Sequence, residues 1–263
     1  MKIIVFDLDE TLGYFVQFSI FWQSFNFYTE HILTDKIIFN QETFNKLLDL
    51  FPYFLRPDII KILDFIKIKK NTNCCSKVMI YTNNTGAKKW VNYFVNYFET
   101  KINYKLFDQI ICAFKVKRNI IELCRTTHNK TMGDLTKCSQ LSGDTEICYI
   151  DDTYYPEMVH ERVYYINIKP YYYDYTFEHM LSKVLKCSEF KDLYAHNFNT
   201  NMLQIIKRFN YKVRLKNEEE YKIDKIISKE TLNHLIIFLR DSPNQTKKTK
   251  CIKNKTRKIH HKR

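Results

Sequence analysis

The chain has 263 residues, a net charge of +13 and 45% hydrophobic residues, which is enough to bury the core of one α/β domain with additions. With only 4 glycines and 5 prolines it is neither fibrous nor low in complexity. No apolar run approaches the ~20 residues of a membrane span, and only four apolar residues separate Met1-Lys2 from Asp7, too few for a secretory leader.

Ile3-Ile4-Val5-Phe6 is an unbroken apolar run, three of its residues β-branched, and reads as a buried strand of a parallel sheet. It ends in Asp7-Leu8-Asp9-Glu10-Thr11-Leu12. Open α/β sheets bind ligands at the carboxyl ends of their strands, and two carboxylates there repel unless a cation or a shared proton relieves them. An acidic turn is the plainer alternative. The aromatic stretch from Gly13 to Tyr28 suits either a helix or an irregular insertion. Helical spacing follows over 36–50, and Pro52 breaks it. Arg56-Pro57 then opens a helix carrying Ile59, Ile62, Leu63 and Ile66, with the proline placed in its first turn.

Lys77 to Tyr81 is a second buried-type strand, closed by the polar cluster Thr82-Asn83-Asn84-Thr85-Gly86. A helix is predicted over 88–98, a short strand near Ile110, and a loop entering a short helix over 129–138. Glu146 to Ile150 is a further strand, closed by Asp151-Asp152. Val163 to Ile168 is the last strand, and a helix follows to Leu185. Alternating strands and helices predict a Rossmann-like, doubly wound parallel sheet with a small insertion after the first strand. From Cys187 the pattern turns helical, with helices expected over 202–209 and 232–239. The chain therefore divides on paper into residues 1–186, a helical extension 187–243 and a basic, disordered tail 244–263. Lys247, Lys248, Lys250, Lys253, Lys255, Arg257 and Lys258 in that tail could hold nucleic acid or an acidic partner, or act as a nuclear-localisation patch.

None of the eight cysteines is paired at CxxC spacing, so neither a zinc nor a dithiol motif is expected. Cys112 and Cys148 read as small core residues. An even count leaves disulfides open in principle, but a reducing intracellular setting, cytoplasmic or nuclear, is the expectation.

Asp7-x-Asp9-x-Thr11-Leu12 after an apolar strand, then Thr82 and Asp151-Asp152 at later strand ends, resemble the motifs of the haloacid dehalogenase superfamily of phosphohydrolases, in order. Pro52-Tyr53-Phe54-Leu55-Arg56-Pro57 and Asp134-Leu135 are similar to the branch of RNA polymerase C-terminal-domain and NLI-interacting-factor-like phosphatases. The resemblance covers about residues 1–186. It implies Asp7 as nucleophile, Asp9 as acid and base, Thr11 as a brace and Thr82, with Asn83, as a phosphate ligand. It also implies Mg²⁺ on Asp7, Asp9, Asp151 and Asp152, with Asp152 favoured as the direct ligand of the last pair. The branch has a lysine directly before its Asp-Leu pair, where this chain has Gly133. Lys130 is the choice for that role and Lys137 the alternative. The function implied is a phosphomonoesterase acting on phosphoserine or phosphothreonine proteins. A nucleic-acid end phosphatase is the second reading, and a silent fold used as a binding module the third. A small insertion would leave the site open to macromolecules. Abundant Asn, Ile, Lys and Tyr read as AT-rich coding bias, which with this enzyme class would suit a large DNA virus.

Overall fold

The computed structural model describes residues 1–32, 37, 39–86, 88–190 and 197–240, and the backbone of 257–258. In chain order the elements are β1 (Lys2–Phe6), α1 (Val16–His31), α2 (Gln41–Asp49), α3 (Ile59–Asn71), β2 (Lys77–Tyr81) and α4 (Lys88–Ile102). There follow β3 (Gln109–Ile111), β4 (Lys115–Val116), β5 (Asn119–Ile120), α5 (Met132–Ser139), β6 (Glu146–Asp151) and β7 (Val163–Asn167). Last come α6 (Phe177–Lys186), α7 (Phe198–Lys207), α8 (Glu218–Leu239) and β8 (Arg257–Lys258).

The sheet runs β3-β2-β1-β6-β7, all parallel, with the two-residue β8 beside β7. This is the α/β parallel sheet that the apolar runs predict. Ile3, Ile4, Val5 and Phe6 are at most 1% exposed, because helices cover both faces of such a sheet. The chain leaves β1 toward β2 on one side and reaches β6 on the other, so β1 sits where the strand order reverses. That is the position at which open sheets form their crevice. Side chains alternate along each strand. Ile3, Val5, Met79, Tyr81, Ile147 and Tyr149 therefore share one face, where they pack with Met132 and Leu135 of α5.

The chain divides into two compact units that interleave along the sequence. The first holds residues 1–12, 56–171 and 222–263; the second holds 13–55 and 172–221. The linear division expected at 186/187 does not describe this arrangement. The insertion after β1 is not small and self-contained: its helix α1 joins α7 of the extension, with Phe198 edge-on to Phe25 and Tyr28 at 5.7 and 5.2 Å. The stretch from 13 to 28, open between helix and irregular chain, forms α1 from Val16 onward. The expected openness to macromolecules rested on a small insertion and loses that basis.

Within the second unit, Phe18, Phe21, Phe25, Phe44, Phe51 and Phe54 are fully buried. α8 opens with a reciprocal capping pair, Asn217 Oδ1 accepting from the Glu220 N–H and Glu220 Oε2 accepting from the Asn217 N–H. The end of α8 returns to the first unit, where Lys2 Nζ donates to the Phe238 carbonyl.

Pro57 lies ahead of α3 rather than in its first turn, since Asp58 adopts a left-handed φ of 57° and the helix begins at Ile59. Cys124 and Cys138 form a disulfide, with Cα atoms 5.1 Å apart. This corrects the expectation of thiols alone; a spacing of 14 residues carries no local signature. Cys112 and Cys148 are buried and free, as small core residues. Lys247, Lys248, Lys250, Lys253 and Lys255 lie outside the described residues. Of Arg257 and Lys258 only the backbone is described, paired with Ile166 and Asn167.

Candidate functional site

Parallel register sets Phe6 beside both Ile80 and Ile150. Asp7, Thr82 and Asp151-Asp152 consequently leave three adjacent strands at the same end of the sheet. Alternation puts Asp7 and Asp151 on the face that carries Val5 and Tyr149, the face α5 covers. Lys130 stands immediately before Thr131, whose hydroxyl caps α5 by accepting from the Asp134 N–H.

These placements converge on one buried group. Lys130, 1% exposed, donates to Asp7 Oδ1 at 2.5 Å and to Asp151 Oδ2 at 2.6 Å. The other lysine considered, Lys137, is exposed on α5. Asp151 also accepts from the Tyr149 hydroxyl and, through Oδ1, from the Thr153 N–H at 2.8 Å. Thr11 joins the first strand end to the last: its hydroxyl donates to Asp152 Oδ1 at 3.0 Å and accepts from the Asp152 N–H at 3.1 Å. Asp9 accepts from the Asn84 side-chain amide at 2.7 Å. Thr82 is 1% exposed, and its hydroxyl accepts from the Asn84 N–H at 3.0 Å. Asn83 turns instead to the Tyr155 hydroxyl, 3.0 Å away.

The turn after Asp9 is unusual and firmly held. Glu10 has a φ of 57°, a conformation non-glycine residues adopt at a cost. Buried Arg56 donates to the carbonyls of Glu10, Thr11 and Lys169 at 2.5, 2.6 and 2.9 Å. The Tyr171 N–H adds a further bond to the Glu10 carbonyl.

Burial pushes the Asp7 carboxyl well above the usual carboxylate range; Lys130 opposes this, while Asp151 and Asp9 add to it. Burial also raises Asp9, against the Asn84 hydrogen bond and the Lys130 charge. Asp152 is pushed up to about 6 by burial and then by Asp151. Burial works against the charge of Lys130, but Asp7 and Asp151 outweigh it and hold the ammonium protonated. One lysine thus faces the carboxyl groups of Asp7, Asp9, Asp151 and Asp152; ionised together they would carry an excess of negative charge, which protonation relieves here and a cation would balance.

Asp7, Asp151 and Asp152 each offer a carboxylate oxygen within 4.8 Å of the others. An all-oxygen set of this kind could hold a hard divalent cation. Asp151 is buried with both oxygens engaged by Lys130, Tyr149 and Thr153, whereas Asp152 is half-buried and its oxygens accept from the hydroxyls of Thr11 and Thr153 at 3.0 and 3.4 Å, so Asp152 is the more accessible donor of the pair.

Several partners in this site were missed in the sequence. Tyr149 was findable, standing two residues before Asp151 on the same strand face. Asn84 lay inside a cluster already marked as polar. Arg56 carries no local signal for this role, since it acts on backbone carbonyls at least 45 residues away in sequence.

No family model, curated protein or solved structure matches the chain. No helix among the described residues is long and apolar enough to cross a membrane.

Proposed function

We propose that the protein is a Mg²⁺-dependent phosphomonoesterase of the haloacid dehalogenase type, working through an aspartyl-phosphate on Asp7. One observation carries the reading: a buried lysine bridges Asp7 and Asp151 at the strand ends, where Asp7, Asp151 and Asp152 converge.

In the first step an Asp7 carboxylate oxygen attacks phosphorus and the ester P–O bond breaks. Asp9 gives its proton to the departing oxygen. In the second step Asp9 takes a proton from water, which attacks phosphorus; the Asp7–phosphorus bond breaks and orthophosphate leaves. Asn84 holds the Asp9 side chain through these exchanges. Thr82 and Lys130 would hold the phosphoryl oxygens, and Lys130 also orients Asp7. Mg²⁺, held by Asp7 and Asp152 with Asp151 behind them, would supply positive charge against the phosphate dianion. The proposed substrates are phosphoserine and phosphothreonine proteins.

The test is release of orthophosphate from a generic aryl phosphate, with and without Mg²⁺, for wild type beside Asp7→Asn. Release that needs both the metal and Asp7 is expected. Failure of folded, Mg²⁺-loaded wild type to release phosphate from aryl phosphate or from a phosphopeptide panel overturns the reading. Substrate class follows from that panel set against phosphorylated oligonucleotides.

A further inference from the structure

Lys130 reaches its two carboxylates from a stretch with no regular structure. Between β5 and α5 the backbone is neither helix nor strand, yet the ammonium is held to hydrogen-bond distance on two sides. One side chain ties this stretch to two strand ends. The guanidinium of Arg125, 2% exposed, donates to four carbonyls: Thr82 at 3.3 Å, Cys112 at 2.8 Å, and His128 and Asn129 at 3.1 Å each. Its carbon lies 4.8 Å from the centre of the Tyr81 ring. The hydroxyl of that tyrosine in turn accepts from the Thr131 N–H at 3.2 Å.

The four carbonyls come from three places: the end of β2, the end of β3 and the two residues directly before Lys130. The neighbours of Arg125 are fixed independently. Cys124 is bonded to Cys138. Thr126 donates through its N–H and hydroxyl to the two oxygens of Asp134, at 2.9 and 2.8 Å.

We propose that Arg125 is a positioning residue for phosphate. Acting through backbone carbonyls and the Tyr81 ring, it sets the spacing between Thr82 and Lys130, the two residues placed on the phosphoryl oxygens; the inference rests on the phosphatase reading above. A guanidinium suits the task because its donors lie in a fixed planar fork and can serve several carbonyls at once. A lysine ammonium keeps the charge but gathers its donors on one nitrogen and cannot reach all three segments. Loss of the clamp would let the Lys130 backbone drift from Thr82. Phosphate would then bind more weakly before and during reaction, raising KM more than it lowers kcat. An arginine that merely closed the loop would lower the melting temperature and leave the phosphate affinity of the folded protein unchanged.

The experiment uses the full chain with Mg²⁺ present, as wild type, Arg125→Lys and Arg125→Ala. Orthophosphate binding is read by calorimetric titration, aryl phosphate turnover by KM and kcat, and folding by circular dichroism. Arg125→Lys is expected to fold and to bind orthophosphate at least about tenfold more weakly, since small misplacements cost this much or more. Arg125→Ala is expected to be weaker still, with part of the loss restored by added guanidinium ion. Folded Arg125→Lys with wild-type orthophosphate affinity overturns the proposal and leaves the phosphatase reading standing. Wild type that neither binds orthophosphate with Mg²⁺ nor releases it from aryl phosphate or the phosphopeptide panel removes that reading, and this proposal with it. Arg125→Lys decides the matter should Arg125→Ala not fold.

Discussion

The strand ends of the first unit and the interior of the second are both buried, but they bury opposite things. The second unit buries rings. Phe25 alone meets Phe39, Phe190 and Phe198 edge-on at 5.3, 5.6 and 5.7 Å. Polar groups buried among them can be matched reciprocally, as where Gln17 and the Tyr175 backbone exchange bonds of 2.7 and 2.9 Å. The strand ends instead gather Asp7, Asp9, Asp151 and Asp152 around one ammonium. Rings that pack edge-on stabilise what holds them. Crowded carboxylates do not, because desolvation and mutual repulsion both work against folding. Under the proposed function, the difference separates residues kept for the fold from residues kept for a ligand.

Asp7→Asn gives the sharpest break. Phosphate release is expected to fall about 10⁶-fold, as when a nucleophile is lost. The melting temperature should hold or rise, because a crowded charge disappears while Lys130 keeps Asp151. Parallel assays of phosphate release and thermal unfolding check both halves. Phe25→Ala should do the reverse in kind, costing about 3–5 kcal/mol in a urea titration by emptying a ring-lined space. Reduction of Cys124–Cys138 should cost about 3 kcal/mol, the figure for a loop near this length, read as a lower urea midpoint that Cys124→Ala/Cys138→Ala reproduces without reductant.

Mg²⁺ at 100 times its dissociation constant should stabilise wild type by about 2.7 kcal/mol. Asp152→Ala should lose most of that gain, while Phe25→Ala should retain it, as thermal melts across a Mg²⁺ series would reveal. The smallest effect belongs to Tyr211→Phe. Its hydroxyl donates to Asp174 at 2.7 Å and lies 2.9 Å from that of Tyr14. About 1 kcal/mol should go with it in the same urea titration, and phosphate release should be unaffected at temperatures where the variant is folded.

The acidic strand ends were legible because their chemistry breaks a pattern. An apolar run that stops at Asp7, or at Asp151, announces both a buried strand and a charge at its end. Lys130 could be preferred over Lys137 from its place just ahead of a helix start. The second unit was not legible, because α1 and α7 meet across more than 160 residues of intervening chain and each, read locally, is only an amphipathic or aromatic segment. β4 and β5 are two residues each, too short for any periodicity to register. α8 was read only in its last third, since its first turns are rich in Glu and Lys and show no apolar stripe until Ile223.

The bridge between Cys124 and Cys138 makes the fifteen residues 124–138 a covalent ring, and Lys130 lies close to its midpoint. A protease that cuts once inside the ring, at exposed His128 or Asn129 for instance, would leave the polypeptide in one covalent piece, heavier by one water. Such a nicked molecule would run as a single chain without reductant and as two fragments with it. Its lysine would remain attached by one side of the cut only.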